Sequence, residues 1–318
     1  MQTSSPKTYL VTGGAGFIGS HMVDALLNAG HQVRVVDNFS TGKRENLAHV
    51  LGQIDLYEIS ITDREALSEA MQGVDYVFHL AALASVPRSV KDPLASNDHN
   101  VNGTLNVLVT ARDAGVKRVV YSGSSSAYGN VDAEFKSEEM TPRPLSPYAV
   151  AKLAAEHYCQ AFTNVYGLET VTVRYFNVFG PRQDPLSAYA AVIPKFVVAM
   201  LDDRPPTVEG DGLQSRDFTF IDNVVHGNLL ACHTEGVAGE TFNIACGGRI
   251  NLLDMIEILN RLMGKNIQPI FTDPRPGDVR HSRASIDKAR RMLGYEPRVS
   301  FDEGLARTLA WYETVPSA

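Results

Sequence analysis

Between residues 8 and 180, short apolar runs alternate strictly with helical patterns, and no other feature of the chain restricts its fold as much. TYLVTG (8–13) precedes a helical pattern from Phe17 to about Ala29, and HQVRVVD (31–37) precedes a variable stretch. IDLYEIS (54–60) leads to a helix near 63–72, and VDYVFHLAA (74–82) to a loop and a helix near 98–114. KRVVYSGSSS (117–126), a helix running to about Tyr166 and ETVTVRYFNVFG (169–180) complete the series. Nearly continuous apolar strands separated by helices form a parallel sheet covered on both faces. The pattern predicts an α/β fold, a doubly wound parallel sheet over residues 1–180. Beyond Gly180, PRQDPLSAYAAVIP, DDRPPTVEGDGLQSRDF and FTDPRPGDVRHSRA bring prolines and charged turns. They are separated by helices near 192–201, 222–233 and 252–263 and a strand at 218–221. A smaller lobe over 181–318 is expected, with some segments returning to the N-terminal sheet.

Composition narrows the chemistry. With 318 residues, 44% of them hydrophobic, the chain can bury a sizeable core. A net charge of −7, with no block of lysines and arginines, argues against nucleic acid as a partner and for small-molecule chemistry. Cys159, Cys232 and Cys246 are too few and scattered for a disulfide framework or zinc site. None of His21, His79, His157, His226 and His281 stands at a metal-ligand spacing, so no metal is expected. No apolar run approaches the ~20 residues of a membrane span. The segment MQTSSPK leads directly into a strand, so a cytoplasmic protein with no membrane partner is expected.

TGGAGFIGSH (12–21) joins the first strand to the first helix. Gly14, Gly16 and Gly19 satisfy G-x-G-x-x-G, and Gly13, Gly16 and Gly19 satisfy a spacing of three. Such glycines allow a tight turn and let backbone approach a pyrophosphate at a helix N-terminus. Asp37, ending the second strand, is placed to bind ribose hydroxyls. A carboxylate there repels the 2′-phosphate of NADP, so NAD is the expected cofactor; Lys43 and Arg44, close in sequence, are the features that weigh against this.

In SPYAVAK, Ser146 suits an N-cap and Pro147 the first helical position, which puts Tyr148 and Lys152 one turn apart on one face. A nearby ammonium favours phenolate and lowers a tyrosine pKa. The spacing alone is equally that of a packed tyrosine and a solvated lysine. The other parts of a site have to decide between these readings.

TGGAGFIG, VVDNFSTG, HLAA, SSSAYG, YAVAK and RYFNVFGPR, in that order, resemble the extended short-chain dehydrogenase/reductase family over essentially the whole chain. Within it, SSSAYG and RYFNVFGPR look most like UDP-hexose 4-epimerases. AALASVPRSV, SAYAAVIPKF and GDVRHS look like the bacterial branch acting on UDP-N-acetylhexosamines. The resemblance implies a Rossmann domain, NAD, a UDP-sugar substrate and a homodimer. The helices near 98–114 and 148–166 would pair across its two-fold, with Leu153, Ala154, Ala155, Tyr158, Ala161 and Phe162 at the interface.

It further implies that Tyr148 takes a proton from the sugar hydroxyl, that Lys152 and the positive charge of oxidised nicotinamide lower the phenol's pKa, that Lys152 bonds the nicotinamide ribose, and that Ser124 relays the proton. Cofactor contacts carried over are Gly13, Gly16, Phe17, Ile18 and Gly19 in the glycine turn, and Asp37, Asn38, Ser40, Thr41 and Gly42 after the second strand. Ser60 and Ile61 beside the adenine follow, then Leu80, Ala81, Ala82, Asn100 and Tyr175, with Tyr148 and Lys152. Substrate contacts are Ala84, Ser85, Ser124, Ser125, Ser126, Tyr148, Asn177, Val192, Arg216, Arg275, Asp278 and Ser282.

Ser60 departs from the family's aspartate, and Ala84 from a lysine of many galactose-type epimerases. Ser282 stands where UDP-galactose-specific enzymes carry a tyrosine, which leaves room for an N-acetyl group. The expected activity is therefore inversion at C4 of UDP-GlcNAc/GalNAc and of UDP-Glc/Gal through a 4-keto sugar. Alternatives are a UDP-glucuronate 4-epimerase, a dehydratase or decarboxylase of the same family, and a catalytically silent NAD-binding protein. Ser125 and Ser126 occupy the places of the eliminating carboxylates, which disfavours the dehydratase and decarboxylase.

Overall fold

The structure is a computed structural model, and it describes residues 5–131, 133–185, 191–274 and 280–314. Seven parallel strands form its central sheet. In chain order they are β1 (Thr8–Thr12), β2 (Gln32–Val36), β3 (Ile54–Tyr57), β4 (Tyr76–His79), β5 (Arg118–Ser124), β6 (Glu169–Tyr175) and a closing strand, Thr241–Ile244. Across the sheet the order is closing strand, β6, β5, β4, β1, β2, β3. The chain moves outward from β1 to β3, then restarts at β4 on the other side of β1. That reversal opens a crevice beyond the carboxyl ends of β1 and β4, where open α/β sheets bind ligands. Leu10, Val11, Val77, Phe78, Val119 and Val120 are fully buried, as strands covered on both faces require.

Helices lie where the alternation predicts them, including Phe17–Asn28 (α1), Arg64–Met71 (α2) and Pro147–Tyr166. Ser146 caps the last of these by accepting from Ala149 N at 3.2 Å, and Gly167 ends it in the left-handed conformation. A buried pair, Arg174 Nη2 to Glu156 Oε1 at 2.5 Å, pins the same helix to β6.

Three local expectations differ from the structure. IDLYEIS contributes a strand only over Ile54–Tyr57. The loop expected after β4 contains two short helices, Val86–Lys91 and Pro93–Asn97, capped by Ser85 and Asp92 with a proline in each first turn. They lead through a π turn, Asp98–Asn102, into helix Gly103–Asp113. FTFI supplies strand pairing only at Thr219–Phe220, because Ile221 already begins helix Ile221–His233.

The later segments do two things. Thr241–Ile244 pairs with β6 in the main sheet, while His281–Ser282, Ser215–Arg216 and Ile250–Asn251 form a small separate sheet. Helices Val192–Leu201, Leu252–Met263 and Phe301–Thr314 cover this region with buried apolar faces. Among the described residues no helix is long and apolar enough to cross a membrane.

Candidate active site

The crevice beyond β1 and β4 holds a cavity of about 270 Å³. Gly13, Gly16, Phe17, Ile18 and Gly19 line one wall, and Asp37, Asn38, Ser40, Thr41 and Gly42 another. Gly13 has φ +70°, and a Cβ on it would stand 2.7 Å from Ala81 N; one on Gly19 would stand 2.0 Å from Gly13 O. Gly14 does not line the cavity but packs against Val35, so the spacing-of-three set is the one that shapes the site. Gly16 begins α1 without a side-chain cap, which leaves the first helical N–H groups open to an anion. These features fit a dinucleotide.

Asp37 Oδ2 accepts from Ala15 N at 2.9 Å and Oδ1 from Phe39 N at 2.8 Å. Burial raises its carboxyl above the ordinary value while these bonds oppose the rise. Lys43 pairs with Asp184 at 3.1 Å, and Arg44 pairs with Glu58 and stacks on Phe39. Both cations near the ribose position are thus engaged elsewhere, which suits NAD over NADP.

The opposite wall is Leu80, Ala81, Ala82, Leu83 and Ala84. Buried His79 fixes it. Thr104 Oγ1 gives its hydrogen to Asn100 O at 2.8 Å and so accepts from His79 Nε2 at 2.9 Å. His79 Nδ1 then accepts from Thr12 Oγ1 at 2.7 Å, and that oxygen accepts from Ala81 N at 3.2 Å. Burial lowers the imidazole to about 3, with the Lys152 charge adding to the effect. At the far end, Asn100 accepts from Leu83 N at 2.9 Å and donates to Leu83 O at 3.3 Å. Asn100 therefore holds the wall without lining the cavity, and His99 lines it instead.

Several sequence expectations shift accordingly. Ser60 bonds its hydroxyl to Thr62 at 2.7 Å and does not line the cavity, whereas Ile61, expected beside the adenine, does so together with Ile59. Ala84, expected beside the substrate, lies on this cavity. Ser85 spends its hydroxyl on Arg88 N at 3.1 Å, as a cap. His21 Nε2 donates to Pro181 O at 3.0 Å, since the carbonyl can only accept.

Tyr148 stands in the first turn of its helix, its N–H bonded at 3.0 Å to the hydroxyl of Ser89, a buried residue that sequence reasoning passed over. Ser124 ends β5; its Oγ accepts from Ser126 N at 3.2 Å and lies 2.8 Å from Ser126 Oγ. Burial raises the Tyr148 phenol above its usual value, opposed by a hydrogen bond to Ser124. Lys152 is buried, lies over the Tyr121 ring, and donates to Ser122 O at 2.6 Å. Desolvation is the largest influence on Tyr148, and the lowering that the resemblance implies needs the nicotinamide's positive charge as well as Lys152. The same burial lowers Lys152 itself to about 8. Ser122 lines the cofactor cavity, so the ammonium reaches that cavity's edge. Tyr175, paired in register with Ser124, donates to Asn228 at 2.8 Å and supports the floor from below.

A second cavity of about 700 Å³ has Asn177, Val192 and Arg216 in its lining, along with Lys195, Phe196, Arg204, Gln214 and Phe218. Asn177 is exposed at φ +34°, a strained conformation of the kind kept at binding sites. Its side chain donates to Asp217 O at 3.1 Å. Buried Asp217 accepts from Cys246 N and Ala284 N, and its N–H bonds Ser282 O at 2.9 Å. Asp217 thus ties these segments together, its main chain bonding Asn177 and Ser282 and its carboxylate Cys246 and Ala284. Ser282 is buried opposite Arg216 in the small sheet and lines neither cavity. Arg275 and Asp278 lie outside the described residues.

Residues 9–245 match the model of the NAD dependent epimerase/dehydratase family. The chain is 40% identical to the UDP-glucose 4-epimerase of Mycolicibacterium smegmatis, over 95% of this chain and 97% of that one. It is 36% identical to the UDP-glucuronate 4-epimerase of Thermodesulfobacterium geofontis, over 95% of each. Among solved structures, the UDP-N-acetylglucosamine 4-epimerase of Methanobrevibacter ruminantium in complex with UDP-N-acetylmuramic acid superposes with a TM-score of 0.93. That pair shares 39% identity and covers 98% of this chain and 99% of the other.

Proposed function

Because the chain belongs to the NAD dependent epimerase/dehydratase family, we propose that its two cavities together carry out C4 inversion of a UDP-hexose, with UDP-GlcNAc/GalNAc and UDP-Glc/Gal as substrates. The chain is an NAD-using enzyme of the UDP-sugar 4-epimerase kind. The observation that carries the reading is the cavity at the glycine turn and Asp37, whose lining residue Ser122 accepts from the buried Lys152 ammonium at 2.6 Å. Ser124, two residues on at the end of β5, and Tyr148, one turn before Lys152, are the relay hydroxyl and the base assigned to the sugar.

Held by the glycine turn and Asp37, NAD would supply reversible hydride acceptance at C4. The chain's residues handle the proton and the orientation. Tyr148 accepts the C4 hydroxyl proton through Ser124, which supports general-base catalysis near neutral pH once a cationic nicotinamide offsets the burial that raises the phenol. Lys152, fixed on Ser122 O, offers its remaining N–H donors to the nicotinamide ribose. Ser125 and Ser126 bound the sugar. Asn177 and Arg216, in the second cavity, hold the nucleotide while the sugar turns, and arginine suits a diphosphate because its planar donors engage oxygens in pairs. No net redox change results.

A homodimer through helix Pro147–Tyr166 completes the proposal. Ala155 and Phe162, expected at that interface, are buried in the chain's own core. Val150, Tyr158, Ala161 and Val165 are exposed on one stripe of the helix, next to exposed Val90 and Leu94. That stripe is the candidate contact.

Ser282 lines neither cavity but is buried beside Arg216, which lines the second, so we assign the sugar's width to this position: a tyrosine ring here would have to push into the substrate site. Filling a pocket with a tyrosine ring costs about 2–3 kcal/mol against an N-acetyl group, or roughly 30- to 150-fold in discrimination. Kinetics of wild type and Ser282→Tyr on both substrate pairs test this. The N-acetylated pair should be lost and the plain hexoses spared; rejection of UDP-GlcNAc by wild type, or no effect of the tyrosine, would contradict the assignment.

A further inference from the structure

Lys136 lies in a stretch, NVDAEFKSEEM (130–140), that has several acidic residues, yet it pairs with none of them among the described residues. Glu138 turns to Asn243 N at 2.7 Å, and Glu134 and Glu139 face solvent. Lys136 itself is 5% exposed. Its backbone is held on both sides, Lys136 N donating to Arg283 O at 2.8 Å and Lys136 O accepting from Ser285 N at 2.9 Å. The position of the side chain's root is therefore fixed. Its ammonium makes one hydrogen bond, to Gly129 O at 3.2 Å, of the three it can donate.

The segments that hold Lys136, by its main chain and by its ammonium, adjoin the proposed substrate site. Gly129 closes the turn that begins with Ser124, Ser125 and Ser126. Arg283 and Ser285 continue the strand that carries Ser282, and the charge acting on Lys136 is that of Arg216, which lines the second cavity. Burial and that neighbouring charge both lower the ammonium from its ordinary value. Among the described residues no carboxylate pairs with the Lys136 ammonium, and a buried cation without one is unfavourable in a fold that gains nothing from it.

We infer that Lys136 is a specificity-determining residue that receives an anionic oxygen of the UDP-sugar, between the serine turn and Arg216. The inference rests on the UDP-sugar reading above and names a contact within it. The anionic oxygen has two sources, the diphosphate or a carboxylate borne by the sugar. A charge-assisted bond from Lys136 serves either.

Calorimetric binding of UDP, UDP-glucose and UDP-glucuronate to the NAD-loaded protein separates them, without relying on turnover. Lys136→Met keeps the stem and removes the charge; it should weaken binding by about tenfold or more, as expected for loss of a charge-assisted bond. Equal weakening for all three ligands assigns the diphosphate, and weakening of UDP-glucuronate alone assigns the sugar carboxylate. Lys136→Arg should keep most of the affinity. Melting of the ligand-free protein gives an independent sign: Lys136→Met should melt no lower than wild type, because a buried unpaired charge has been removed. Unchanged affinity of Lys136→Met for all three ligands overturns the inference, as does a lowered melting temperature with equal loss in Lys136→Arg, the mark of a structural prop. Should wild type bind none of the three, the UDP-sugar reading itself fails, and Lys136 with it.

Discussion

Lys152 Nζ donates to the main-chain oxygen of Ser122 at 2.6 Å, and this bond ties the lysine to the floor of the site instead of to the Tyr148 phenol one turn away. The lysine's place in the chemistry follows from that geometry. It presents its other donors at the edge of the cofactor cavity, so it acts on the phenol through what binds there.

Tyr148→Phe removes the phenolic oxygen and almost no volume. Turnover should fall by about 10²–10⁴-fold, the usual contribution of a positioned base, while NAD content and melting temperature stay as in wild type. Activity within about tenfold of wild type would remove Tyr148 from the mechanism.

Ser89 holds the N–H of Tyr148 and is itself fixed by donating to Val86 O at 2.7 Å. Ser89→Ala leaves that buried N–H unpaired, which costs roughly 1–3 kcal/mol of stability. A fall in kcat with KM for the UDP-sugar unchanged is the expected kinetic signature; a wild-type kcat would show that the helix start is held well enough without it.

Gly19→Ala sets a Cβ 2.0 Å from Gly13 O, a backbone atom that cannot step aside. NAD retention on gel filtration, read by absorbance after release, should be lost or greatly reduced. Full retention would mean that the glycine turn tolerates displacement and does not shape the site.

His79 predicts an acid limit. Burial lowers its folded value to about 3, against an unfolded value near 6.5, so the unfolded chain binds the extra proton between these limits. Stability from neutral His79 is present above pH 6.5 and is lost as the pH falls toward 3. At pH 5 the loss is about 2 kcal/mol relative to pH 7. Denaturant unfolding of wild type and His79→Gln at both values checks this, since the variant lacks the titrating group; equal pH dependence in the two proteins would contradict the neutral buried assignment.

Much of this site was legible from periodicity and turn chemistry. The strand alternation yields the parallel sheet, TGGAGFIG the glycine turn, and Ser146-Pro147 the start of the Tyr148 helix, because each rests on local rules of backbone and capping. What could not be read depends on which partner a polar group finds in three dimensions. Spacing puts Tyr148 and Lys152 on one face of a helix, but it does not show that burial raises the phenol or that the ammonium donates to the Ser122 carbonyl. The family resemblance sets Ser60 at the adenine, and only the structure shows its hydroxyl bonded to Thr62 in a local turn. Ser89 and Asp217 carry no motif that announces them; they matter because distant segments meet on their oxygens.

The most direct test of the account is NMR and mass identification of the product when the purified, NAD-loaded protein is incubated with UDP-GlcNAc. The account predicts conversion to the C4 epimer, UDP-GalNAc, at unchanged mass, and loss of that conversion in Tyr148→Phe. A product lighter by water or CO2, or no conversion of UDP-GlcNAc and UDP-glucose alike, would contradict it.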